Sequence, residues 1–141
     1  MNKQNLDRFA EIIRADQRVS ALILFGSRAR GEAGPLSDVD LAALLAPDIA
    51  FPDFLSIRLE LTAQASAALR SDRIELIVLN EAPPALAIRV GDEGQRLVVK
   101  DEQFLSCFFE HALDLYLDFE PYARAYDRAL RARIKKGVFG A

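Results

Sequence analysis

With 141 residues, about half of them apolar, the chain is sized for one domain with a real hydrophobic core. Its 18 Lys and Arg against 21 Asp and Glu leave a net charge of −3, which argues against a protein whose main task is coating DNA or RNA. No run is long and uniform enough to span a bilayer, no apolar stretch follows the polar start from Asn2 to Arg8, and one cysteine cannot close an internal disulfide, so a cytoplasmic protein is expected.

Leu6, Phe9, Ala10, Ile12 and Ile13 fall on one stripe at helical spacing and predict a first helix. The apolar runs Ala21 to Phe25 and Leu41 to Leu45 are short, bounded by turn residues, and read as buried strands. Pro47 ends the second of them. A helix follows from about Pro52 to Leu69, with Phe54, Ile57, Leu61, Ala65 and Ala68 facing inward and the proline near its first turn. Ser71-Asp72 turns the chain into a third strand, Arg73 to Leu79. Pro83-Pro84 opens a short helix through Ile88 that stops at Gly91, and Leu97 to Lys100 reads as an edge strand. From Asp101 the pattern is helical, with Phe104, Leu105, Phe108, Ala112, Leu115, Tyr116 and Phe119 on the buried side. Pro121 is expected to kink or divide this helix, and Lys135, Lys136 and Gly137 to stop it. The expected fold is α/β (α+β): a small mixed sheet with helices on one face and a helical C-terminal tail over about 101–137, all in one domain, 1–141.

The segment Gly26-Ser27-Arg28-Ala29-Arg30-Gly31-Glu32-Ala33-Gly34-Pro35-Leu36-Ser37-Asp38-Val39-Asp40 carries the chemistry. It joins the end of the first strand to the second strand, where Asp38 and Asp40 stand two apart. Residues two apart on a strand share a face, roughly 7 Å between Cα atoms. Two carboxylates so placed repel each other unless a cation lies between them, and Mg²⁺ beside a triphosphate is the obvious choice. Gly26 lets backbone approach a phosphate, and Ser27 adds a hydroxyl and an N–H to a small anion nest. Alone, Gly-Ser would be an ordinary strand-to-helix turn.

This spacing resembles the signature of the polymerase-β-like nucleotidyltransferases: Gly-Ser, ten residues, then Asp-x-Asp. The surrounding Ala-Arg-Gly and Ser-Asp-Val-Asp-Leu are similar to those of the minimal nucleotidyltransferases, antitoxins of the MntA type paired with a HEPN-domain ribonuclease toxin (HepT). The resemblance is strongest from Leu22 to Leu45 and continues through the Glu75 strand and Tyr116 to Pro121. It implies the polymerase-β-like nucleotidyltransferase fold and protein adenylyltransferase activity, with ATP as substrate and Mg²⁺ as cofactor. The implied acceptor is a tyrosine of the toxin, in a hetero-oligomer with it and with no direct DNA binding.

A two-metal site needs a third carboxylate, and Glu75 is the best candidate, a lone acid in the otherwise apolar Ile74 to Leu79. The family usually carries Asp there. Glu75 reads as third ligand and general base, against the alternative of a salt-bridged structural acid; Asp72, at the turn, is the fallback. Arg28 and Arg30 are candidates for neutralising the departing pyrophosphate, against simple solvation on an exposed turn. Ser37 shapes the turn into the second strand and completes the nucleotide-binding set of Gly26, Ser27, Arg28 and Arg30. Cys107 and His111, four apart on a helix, are two ligands without partners, and packing or a surface position explains them better than zinc. The basic run Arg124, Arg128, Arg131, Arg133, Lys135 and Lys136 reads as a solvated face, with docking of an acidic partner or RNA as the alternative. Two rival functions remain beside the transferase antitoxin. One is a catalytically weak antitoxin that acts by binding; the other is a transferase for small-molecule hydroxyls, which normally carries a further substrate domain.

Overall fold

The computed structural model describes residues 2–31, 34 and 38–135. Helix α1 (Lys3–Arg14) is capped by Asn2, whose Oδ1 accepts the Gln4 N–H at 2.8 Å. It buries Leu6, Phe9, Ala10 and Ile13, while Ile12 of the predicted stripe faces solvent. Strand β1 (Val19–Phe25) follows, then the one-turn helix α2 (Gly26–Ala29) and strand β2 (Val39–Leu45). A 3-10 turn, Phe51–Asp53, holds Pro52 and leads into α3 (Phe54–Leu69), which buries every inward residue expected of it. Strand β3 (Ile74–Val78), helix α4 (Pro84–Glu93), strand β4 (Gln95–Val99) and the long helix α5 (Glu102–Lys135) complete the order.

The sheet runs β3-β2-β1-β4, with β2 and β3 parallel and the other two pairings antiparallel. It is the small mixed sheet that the alternation of strands and helices implied, and β4 lies at an edge as expected. Helices α1 and α3 make the expected layer on one face, with Phe9, Ile13, Leu61 and Ala65 against Leu22, Leu41 and Leu76. The other face is covered as well: Ala87 and Val90 of α4 and Leu105 and Ala112 of α5 pack on Ile23, Phe25 and Leu44. All seven residues of β1 are buried, as two-sided cover requires. Asn80 finishes the sheet where β3 has ended. Its Oδ1 accepts the Leu45 N–H at 2.7 Å and its Nδ2 donates to the Leu45 carbonyl at 3.1 Å, as a neighbouring strand would.

Two expectations about the helices are corrected, and of the two outcomes expected at Pro121, division of the helix is not met. Helix α4 does not stop at Gly91 but runs to Glu93. A Cβ on Gly91 would lie 3.0 Å from the Phe109 ring, so this glycine permits close packing on α5 rather than ending a helix. Pro121 lies inside α5, which continues through it undivided. Leu115, Tyr116 and Phe119, expected on the buried side, are exposed, Phe119 by 65%. At about 1.5 Å per residue, a helix of 34 residues outruns strands of five to seven, and its second half has no sheet to lie on. Lys136 and Gly137 of the expected helix stop lie outside the described residues. Among the described residues, no helix is long and apolar enough to cross a membrane.

Candidate active site

The site begins where β1 runs out. Phe25 is the last β1 residue paired with β2, and its partner is Asp40. The next residue, Gly26, has φ +74°, and the Asp40 carboxylate lies directly over it: a Cβ on Gly26 would meet Asp40 Oδ2 at 2.1 Å. Glycine is therefore demanded twice, by a left-handed backbone and by the acid itself. Helix α2 starts at this residue and carries Ser27 and Arg28, both half-buried. Its turn is closed by the Arg30 N–H, which donates to the Gly26 carbonyl at 3.3 Å.

On the other side of Asp40 stands Glu75. Parallel pairing of β2 with β3 sets the two residues opposite each other in register, so the third strand does lie beside the second and brings Glu75 next to Asp40. The two carboxylates therefore stand side by side at the same level of neighbouring strands. Burial pushes the Asp40 carboxyl above the usual carboxylate range, and the charges of Glu75 and Asp38 push it the same way, with Arg89 opposing. Asp38 departs from expectation. It sits one residue before β2 rather than on it, exposed to solvent, with its Oδ1 3.9 Å from Arg73 Nη1. The β1 strand has already turned away at Gly26 and offers Asp38 no partner, so pairing begins at Val39, whose N–H donates to the Arg73 carbonyl at 2.8 Å.

Among the described residues, no three acid, histidine or cysteine side chains stand together as a ready metal cluster. Two do: the Asp40–Glu75 pair packs like charge on like charge beside a third acid that is felt at Asp40. Such an arrangement suits a divalent cation, and Asp38 gives up little by leaving a long, exposed ion pair to join it. Asp72 is exposed at the turn before β3, which leaves Glu75 as the acid in register with Asp40. Ser37 lies outside the described residues.

Sequence reasoning missed the cation on α4. Arg89 sits close enough for its charge to act on Asp40, and nothing but a lone cation in an apolar helix signalled it. Arg30 Nη1 reaches Glu93 Oε2 at 3.0 Å, tying the end of α2 to the end of α4. A cavity of about 250 Å³ borders this group, lined by Ala85, Ile88, Arg89, Asp92, Glu93 and Tyr116. A larger one of about 710 Å³ continues from Ala85 and Tyr116 along α5 to Phe119 and Arg124. Cys107 and His111 are exposed on α5, and Arg124 of the basic run pairs with Glu120.

Compared with known proteins, residues 8–103 match the family Polymerase beta, Nucleotidyltransferase. The chain belongs to that family. Its fold is shared with chains of solved toxin–antitoxin complexes, as the resemblance to the minimal nucleotidyltransferases implied. One is a toxin–antitoxin structure with AMP-PNP, at TM-score 0.73 and 22% identity, covering 93% of this chain and 99% of that one. A second is the tri-AMPylated HEPN toxin of Shewanella oneidensis in complex with its MNT antitoxin, at TM-score 0.70 and 22% identity, with coverage of 93% and 99%. A third is the toxin–antitoxin MntA–HepT, at TM-score 0.68 and 22% identity, with coverage of 92% and 99%. No curated protein matches the sequence. This nucleotidyltransferase thus places the family's Gly-Ser turn and second aspartate in contact, with Glu75 as the neighbour of that aspartate.

Proposed function

We propose that this nucleotidyltransferase is the antitoxin of a two-component pair. It transfers AMP from ATP to a tyrosine hydroxyl of a cognate HEPN-domain ribonuclease toxin, and the modified toxin is silent. The observation that carries this reading is the Asp40–Glu75 pair, joined across β2 and β3 beside the Gly26 turn. The fold likeness to complexes containing an AMPylated HEPN toxin and AMP-PNP supports the choice of donor and acceptor. The exposed apolar residues of α5, among them Leu117, Phe119 and Tyr122, support a hetero-oligomer with the toxin. The unit acts as a single minimal domain in the cytoplasm.

In this mechanism Asp38, Asp40 and Glu75 would hold Mg²⁺, which would supply positive charge to offset that of the triphosphate. Gly26 and Ser27 receive the phosphates. The acceptor oxygen attacks the α-phosphorus in line, its bond to phosphorus forming as the bond to the pyrophosphate oxygen breaks. The hydroxyl proton passes to the Asp40–Glu75 pair. Arg28 and Arg30 offset charge on the departing pyrophosphate.

The apolar length of α5 also suits a second reading, in which the protein silences its toxin by binding alone. Co-expression separates the two. Asp38→Ala with Asp40→Ala should leave the complex with the toxin intact yet lose neutralisation; full neutralisation by that variant would select the binding antitoxin. A transferase for small-molecule hydroxyls would instead adenylylate such a substrate with no partner present.

A further inference from the structure

Among the described residues of α5, the last buried one is Ala112, and at about 1.5 Å per residue the helix runs on for roughly 35 Å to Lys135. The apolar spacing does not end with the core. Leu105, Phe109, Ala112, Tyr116 and Phe119 alternate four and three apart, and the sequence carries the same alternation through Ala123, Tyr126 and Leu130. Leu105 and Ala112 are buried, whereas Phe119 is 65% exposed. The uncovered stretch opens at the 710 Å³ groove, where Pro83, Pro84 and Ala85 face Leu115, Tyr116 and Phe119. An amphipathic helix takes its stability from what packs on its apolar stripe, so this seam asks for a second helix. Charge along α5 is also segregated. Glu110, Asp114, Asp118 and Glu120 lie in a stretch without lysine or arginine. From there on, Arg124, Arg128, Arg131, Arg133 and Lys135 stand against Asp127 alone. Glu120 and Arg124, at the boundary, pair with each other along the helix.

We propose that α5 pairs with the α5 of a second copy of this chain, antiparallel across a two-fold axis near Pro121. A parallel copy would set acid on acid and base on base. An antiparallel copy sets each basic half along the other's acidic half, twice over, as an isologous contact requires. The seam fits the same arrangement. About Pro121, Phe119 of one copy falls at the level of Ala123 of the other, large on small, and the spacing puts Pro121 itself on the side away from the seam. The stripe that α4 covers as far as Tyr116 is thereby covered beyond it. Two crossing helices bury less than a standard interface, so the dimer is a reversible one. Leu113 and Leu117, on a different side of α5, stay exposed in it and leave the dimer an apolar surface for a toxin. The pairing does not depend on the nucleotidyl-transfer reading.

Sedimentation of the full chain on its own tests this. Wild type should dimerise with a dissociation constant of roughly 1–50 μM at low salt. Raising the salt to about 0.5 M should weaken the dimer about tenfold, because the paired charges are exposed. Phe119→Ser, at a residue outside the core, should weaken it by about tenfold or more, while Leu117→Ser should change it by less than about twofold. A charge swap identifies the occupant. Asp114→Lys with Asp118→Lys makes the first half basic like the second, and Arg128→Glu with Arg133→Glu makes the second half acidic like the first. Each variant alone should dimerise about tenfold more weakly, and an equimolar mixture of the two should recover the wild-type dimer. Wild type that stays monomeric at about 100 μM and low salt would overturn the inference. So would a dimer indifferent to Phe119→Ser, or a mixture no tighter than its components. A toxin that binds monomeric wild type and is lost with Phe119→Ser would give the seam to the toxin and overturn it as well.

Discussion

Asp40→Asn should cut nucleotidyl transfer by about 10²–10³-fold or more while making the protein more stable at neutral pH. Asp40 is the acid on which the site converges: it contacts the Gly26 backbone on one side and Glu75 on the other. Burial and two neighbouring carboxylates raise its pKa in the folded state, so its charged form is disfavoured by folding. The unfolded chain has no such penalty. The cost of holding Asp40 ionised is therefore present in full above the folded pKa and disappears as pH falls towards the unfolded value. Asp40→Asn keeps the shape and removes the charge, so at pH 7 its melting temperature should rise by roughly 2–4 °C. Near pH 4, about where a free aspartate titrates, the two proteins should converge. Mg²⁺ should raise the melting temperature of wild type and leave that of Asp40→Asn unmoved. A variant that loses activity and melts lower at pH 7 would show that Asp40 serves the fold rather than a site held at the fold's expense.

Gly26→Ala should damage both stability and transfer. Alanine at φ +74° is strained on its own, and the new Cβ would stand 2.1 Å from Asp40 Oδ2 and 3.0 Å from its Cγ. Either the turn opens or Asp40 leaves Glu75. Together these effects should cost ~1–3 kcal/mol of stability, read from denaturant midpoints, and transfer should fall about a hundredfold. The clash is with a particular carboxylate, so the two sites must couple. Repeating Gly26→Ala in an Asp40→Ala background should cost visibly less stability, leaving mainly the backbone strain. Equal costs in both backgrounds would mean that the glycine serves the turn alone.

These residues were readable in the sequence because two short apolar runs fix where strands end. Gly26-Ser27 follows one run and Asp38-Val39-Asp40 precedes the other, so the acids had to lie near the turn. Glu75 was readable for the same reason, as an acid in an apolar strand whose alternation matches that of β2. Asp38 was misplaced onto the strand because strand ends depend on partners: β1 turns off at Gly26, and local pattern carries no record of that. The cover on both faces of the sheet did have a signal. Val19 to Phe25 is nearly uninterrupted apolar residues, the mark of a strand buried on both sides. Other features had no local signal. The stripe on α5 reports that one side is apolar but not that the sheet ends before Leu115, and Gly91 looks like a helix stop until Phe109 is seen against it. The Arg30–Glu93 contact joins residues 63 positions apart in the chain, which spacing alone cannot bring together.

The most direct test follows the α-phosphate of ATP. Purified protein, Mg²⁺, ATP labelled at the α-phosphorus and the cognate HEPN protein are incubated together, and label is sought on the HEPN chain with matching release of pyrophosphate. The acids of β2 and β3 predict label on a toxin tyrosine from wild type and its loss with Asp38→Ala plus Asp40→Ala. No transfer by wild type, or undiminished transfer by the double variant, would contradict them.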